Sequence, residues 1–177
     1  MSRHRRGAGE RGFTLIELLV TLGLVGVLAL VTLPLYEVTS TRLKEAELRD
    51  ALRTIRAALD AYKAAVDAGL LTKEAGASGY PPTLDILTEP QDLATRPVAG
   101  LAGSSDADAN APPQRIVFLR ELPRDPFFQD PSVPAAQTWS TRAYASRSDD
   151  PQPGADVYDV ASTSTRVGLD GLPYNTW

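Results

Sequence analysis

Most of the side chains that carry enzyme chemistry are missing from this sequence or stand apart in it. There is no cysteine, so no disulfide framework, thiolate metal site or thiol nucleophile exists. The single histidine, His4, sits among arginines at the N-terminus, which leaves no imidazole for a general base or a zinc cluster. The acids are scattered, and neither a Gly-rich phosphate loop nor a Ser/His arrangement is present. The sequence is not that of an enzyme. Two places remain where residue type and spacing imply chemistry. In Gly12-Phe13-Thr14-Leu15-Ile16-Glu17-Leu18 a lone acid stands at the head of a long apolar run. A carboxylate there is costly within lipid and demands a partner. The other place is Gly154–Trp177, where Asp156, Asp159 and Asp170 are the candidate carboxylates.

The first place needs a membrane helix to position it. From Leu18 to Tyr36 no residue is charged. At ~1.5 Å per residue this run makes a helix of roughly 28 Å, about the thickness of a bilayer's hydrocarbon core. Ahead of it lie Arg3, Arg5, Arg6 and Arg11 against Glu10. The positive-inside rule keeps this basic leader in the cytoplasm and sends the rest of the chain across. No Ala-x-Ala site follows the run, so the apolar segment is expected to be retained, unlike that of a secretory signal. The whole chain has 18 basic and 22 acidic side chains; without residues 1–12 the balance is 14 to 21, a net charge of −7. An acidic body offers nucleic acid no electrostatic attraction.

Pro34 removes a backbone donor near the far end of the run and predicts a kink or local melting, with Gly23 and Gly26 as weaker points. Beyond it Leu48, Leu52, Ile55, Leu59, Tyr62 and Val66 alternate in steps of four and three, an apolar stripe that predicts packing on a small domain. Lys44, Glu45, Glu47, Arg49, Asp50, Arg53, Arg56, Asp60, Lys63 and Asp67 fill the opposite surface and read mostly as a solvated face. Glu45–Arg49, Arg56–Asp60 and Lys63–Asp67 are at i,i+4 spacing. Gly69 marks the helix end, so one helix from Phe13 to about Ala68 is expected. After it, Gly76–Pro82 and Gly100–Pro113 read as loops, Leu84–Leu87 as a helical turn, and Arg115–Leu119, Thr141–Ser146 and Asp156–Ala161 as strands. A three-stranded antiparallel sheet laid on the stripe gives an α+β head. The expected division is a leader at 1–12, a membrane helix at 13–36, an amphipathic helix at 37–68 and a head at 69–177.

The Gly12–Leu18 segment closely resembles the cleavage motif of type IV prepilins and pseudopilins. The resemblance implies a type IV pilin-like fold, cleavage between Gly12 and Phe13 by prepilin peptidase, and N-methylation of Phe13. Glu17 becomes the fifth residue of the mature chain and meets the N-terminus of a neighbouring subunit, while Pro34 lets the helix stretch within the filament. Tyr80-Pro81-Pro82, the stretch Phe118–Phe127 containing Arg124-Asp125-Pro126, and the tail ending in Trp177 resemble the major pseudopilin of type II secretion systems. That family implies a homopolymer anchored in the inner membrane with its head in the periplasm. Its partners would be other pseudopilins, the inner-membrane secretion assembly platform, prepilin peptidase and membrane lipid. The alternative is a type IV pilin or minor pilin serving adhesion, motility or DNA uptake; such pilins commonly close a C-terminal loop with a disulfide, which this chain cannot form. Two departures are plain: Phe127-Phe128 stands where the family has Trp-Gly, and Gly100–Pro113 is inserted. Major pseudopilins hold a calcium ion in the C-terminal loop. The resemblance implies Asp156, Asp159 and Asp170 as its carboxylates, with Ser162, Ser164 and carbonyls near Val167 completing the shell. The other reading of the same residues is a turn at Asp170-Gly171, with the tail held by packing of Leu172, Tyr174 and Trp177.

Overall fold

The computed structural model of the chain describes residues 12–94 and 114–177, apart from the side chains of residues 31–34. The leader up to Arg11, the whole of the Gly100–Pro113 loop and the Pro34 ring lie outside the described residues. Among the described residues a single α-helix, α1 (Leu15–Asp67), is followed by four short strands, β1 (Gln91–Asp92), β2 (Arg115–Ile116), β3 (Trp139–Arg142) and β4 (Asp159–Ser162), in two antiparallel pairs. This is the α+β, type IV pilin-like arrangement that the sequence predicts. α1 continues through position 34, so Pro34 does not end it.

The chain divides into two compact units, Met1–Thr41 and Arg42–Trp177. In the first, the described side chains of the apolar run are exposed, and the run is long and apolar enough to cross a membrane. The second holds a core of its own. The predicted stripe is its backbone: Leu48, Leu52, Ile55 and Leu59 are buried, together with Ala51 and Ala58. They meet Leu84, Leu87, Leu122, Phe127, Trp139, Val157, Val160 and Tyr174 from the chain that follows. Each fully buried aliphatic contributes about 1.5–3 kcal/mol, so this single stripe anchors the head. Tyr62 is half-buried, tilted against Phe118 at 5.3 Å, and touches both this core and a smaller one of Ala65, Val66 and Leu71.

The helix stops where the sequence indicates. Gly69 takes φ +71°, its N–H donates to the Val66 carbonyl, and the Leu70 N–H donates to that of Ala65. This pair of bonds satisfies carbonyls that the last turn would otherwise leave open, and the left-handed turn suits glycine. The 3-10 turn Asp85–Leu87 lies within the expected Leu84–Leu87 segment.

The single three-stranded sheet does not form. β2 pairs with β1, in register Gln91 to Ile116, and β3 pairs with β4, in register Trp139 to Ser162. The predicted Arg115–Leu119 strand leaves its ladder after Ile116 because the N–H groups of Phe118 and Leu119 both donate to the Leu87 carbonyl. The strand predicted from Thr141 begins at Trp139 and ends at Arg142, since the Ala143 N–H closes a loop onto the Gln152 carbonyl. The strand predicted from Asp156 starts at Asp159, because the Val157 N–H is taken by the Pro81 carbonyl. Loop carbonyls therefore satisfy donors that a wider sheet would have used.

Candidate processing and assembly site, and the clasp that holds the tail

Residues 12–14 precede α1 and are not helical. A Cβ added to Gly12 would meet nothing within 4 Å, and Phe13 is exposed, so the peptide bond between them is open to a protease cleft. Thr14 fixes the boundary. Its carbonyl accepts the first helical bond from the Leu18 N–H at 3.2 Å, and its Oγ1 accepts from the Glu17 N–H at 3.3 Å. This is half of a capping box, Thr14-x-x-Glu17, whose spacing is legible in the sequence and adds to the reading above. It places Glu17 in the first turn, where the helix dipole favours a carboxylate. Among the described residues the Glu17 side chain has no ion-pair partner.

The three tail carboxylates are not brought together, and no group of three or more metal-ligating side chains forms among the described residues. Asp156 accepts from the Tyr144 N–H at 2.8 Å. Asp159 is held between two guanidiniums, Arg56 at 2.8 Å and Arg142 at 3.4 Å. Asp170 accepts from the Leu172 N–H and lies 4.0 Å from Arg49. The Ser162 hydroxyl donates to Asp125 and accepts from the Ser164 N–H. With their oxygens directed to separate partners, and two of them to cations, Asp156, Asp159 and Asp170 do not fit a shared calcium shell in this arrangement. The turn reading does fit: Gly171 takes φ +84° and its N–H donates to the Gly168 carbonyl. Tyr174 and Trp177 pack as expected, at 5.0 Å edge to face, but Leu172 points out and is exposed.

What holds the tail is a set of polar side chains on α1. Glu45, only 3% exposed, accepts from the Leu169 N–H at 2.7 Å and from the Tyr174 hydroxyl at 3.0 Å. One turn on, Arg49 lies 3.7 Å from Glu45 and stacks 4.2 Å over the Trp177 ring. Arg56 donates to Asp159, to the Val160 carbonyl and to an oxygen of Trp177. Its predicted i,i+4 partner Asp60 is passed over for the longer-range contact, while the Lys63–Asp67 pair forms as expected. The expected solvated face therefore fails at Glu45, which is buried, while Arg49 stays exposed and Arg56 half-buried as they bind the tail. Burial raises the Tyr174 phenol to about 12, and its hydrogen bond to Glu45 adds to the shift. A second buried carboxylate, Asp125, is 2% exposed. It accepts from Ser162 and from the Phe127 N–H, and the neighbouring Pro123 carbonyl accepts from the Trp139 indole. The Arg124-Asp125-Pro126 segment thereby ties the strands to the core.

A family profile described as the prokaryotic N-terminal methylation motif matches residues 8–33. It is typical of type IV pilin-like proteins, and its span takes in Gly12, Phe13, Glu17 and most of the apolar run. Neither the curated proteins nor the solved structures compared with the chain gave a match.

Proposed function

We propose that the chain is a pseudopilin of a type II secretion system. It is made as a precursor, cut between Gly12 and Phe13, methylated on Phe13, and polymerised from the inner membrane into a periplasmic filament that drives protein export. The observation that carries this reading is the methylation motif at 8–33, set directly at the start of a helix whose apolar part is exposed and whose later part anchors a head. An enzyme or a simple anchored binding module has no use for an open Gly12–Phe13 bond followed by a capped helix and a first-turn acid. The pseudopilin, in place of a true pilin, is favoured by the tail. It is closed by Glu45, Arg49 and Arg56 without any cysteine, where pilins commonly use a disulfide. The partners are other copies, further pseudopilins, prepilin peptidase and the inner-membrane assembly platform.

Intact-protein mass spectrometry of the membrane fraction tests the first step. In cells with active prepilin peptidase, the expected mass is that of Phe13–Trp177 carrying one added methyl group. A mass that retains residues 1–12 rejects the reading, and secretion assays on a strain lacking the gene then separate export from adhesion or DNA uptake.

A further inference from the structure

Between Val167 and Pro173 the tail folds back on itself as a small hairpin, with a β-bridge between those two residues and the Gly168 N–H donating to the Leu172 carbonyl at 2.8 Å. One side of this hairpin is pressed flat against the head. A Cβ on Gly168 would stand 2.8 Å from the Tyr174 ring and 3.0 Å from that of Trp177, and the adjacent Leu169 N–H is bound to Glu45. The hairpin's large aliphatics do not share in that packing. Val167, Leu169 and Leu172 are 62%, 51% and 56% exposed, although the backbone carrying them is tied at several points. Scattered exposed aliphatics need no explanation, but three in six residues on a fixed turn form a presented apolar knob.

We propose that this knob docks on the apolar segment of α1 in a second copy of the chain, a contact that rests on the polymer reading above. That segment is its chemical complement: it carries no charge from Leu18 to Tyr36, and its described large side chains are exposed. Once it leaves lipid in a filament, it needs apolar cover from other copies. A lipid surface is the poorer occupant. The body has a net charge of −7 outside residues 1–12, so an anionic headgroup layer would be repelled where an uncharged helix is not; Asp170 on the hairpin is paired with Arg49 and does not add to this.

Because the chain has no cysteine, pairs of tagged chains give a direct test. One full-length chain carries Leu169→Cys and the other a cysteine replacing Leu22, Val25 or Leu30, co-expressed with the processing and assembly machinery. Oxidation of assembled filaments is expected to give mixed disulfide dimers at one or more of the three helix positions, and detergent-dispersed monomers none. The triple change Val167→Ser, Leu169→Ser, Leu172→Ser alters only exposed side chains. It is expected to keep the head's melting temperature while lowering filament yield about tenfold, the scale set by losing a buried aliphatic contact. Mixed dimers at none of the positions, or undiminished filaments from the triple variant, overturn the inference. So does an environment-sensitive probe on Leu169→Cys that reports burial in anionic phospholipid vesicles before assembly. If the unmodified chain forms no filament, the polymer reading fails and takes this contact with it. If it polymerises and the variants do likewise, only the contact falls.

Discussion

Glu45 and Tyr174 join the helix to the tail through one hydrogen bond, and the phenol in that bond has a definite dependence on pH. In the unfolded chain its value is the ordinary one near 10; in the folded head burial and the Glu45 carboxylate raise it to about 12. Below pH 10 both states keep the proton and the contribution is fully present. Above it the unfolded chain gives up its proton first, so stability falls as pH rises from 10 towards 12, by up to about 2–3 kcal/mol. Urea unfolding of residues 42–177 between pH 9 and 12 is expected to show this loss, and Tyr174→Phe to show a shallower one. Tyr62 and Tyr80, also raised by burial, leave a residual slope in both proteins. Parallel profiles for the two would mean that the phenol is not held protonated by the fold. None of this was legible in the sequence, because Glu45, Arg49 and Arg56 have the residue types and spacing of an ordinary solvated helix face. Only the return of a distant tail onto that face, 124 residues later for Leu169, buries Glu45 and gives Arg49 and Arg56 their tail partners.

At the scale of the element, the helix was the readable part. A stripe repeating in steps of four and three depends on local geometry alone, and a terminal glycine with positive φ marks the stop. The ladders were not readable to the same degree. A strand of two to four residues has too few alternating positions to fix its ends, and its limits here are set by loop carbonyls at Leu87, Gln152 and Pro81. The hierarchy has an energetic consequence. Ile55 is fully buried at the centre of the stripe, so Ile55→Ala is expected to cost about 2–5 kcal/mol through lost transfer free energy and the cavity left behind. Asp50 is exposed and among the described residues pairs only with the equally exposed Arg53, so Asp50→Ala is expected to stay within about 0.5 kcal/mol. Denaturant midpoints of the two variants give the comparison directly. Similar small losses in both would mean that the stripe does not anchor the head.

For the molecule as a whole, the demand comes from Glu17. It is the only charged residue between Phe13 and Tyr36, and it sits in the first turn of a helix whose apolar surface must be covered by lipid or by other copies. In lipid an ionised carboxylate costs ~3 kcal/mol or more, whereas its place near the helix N-terminus returns only ~0.3–1 kcal/mol. An amine brought to ~4 Å at an effective dielectric near 20 returns about 4 kcal/mol, enough to offset the cost. On the filament reading proposed above, that amine is the one processing would create on Phe13, and the copy that supplies it to Glu17 is a neighbour met in register. Glu17→Ala is therefore expected to enter the membrane at least as well as the wild type but to yield few filaments when sheared fractions are compared by immunoblot. The Thr14 cap offers a competing explanation for any such defect, since Glu17 stands at the capping-box position. Glu17→Gln separates the two: it keeps an oxygen able to complete the box but removes the charge. Loss of filaments in both variants assigns Glu17 to charge pairing between copies. Filaments restored by Gln would show that its work is to cap its own helix, and the register of the polymer would then have to be set elsewhere.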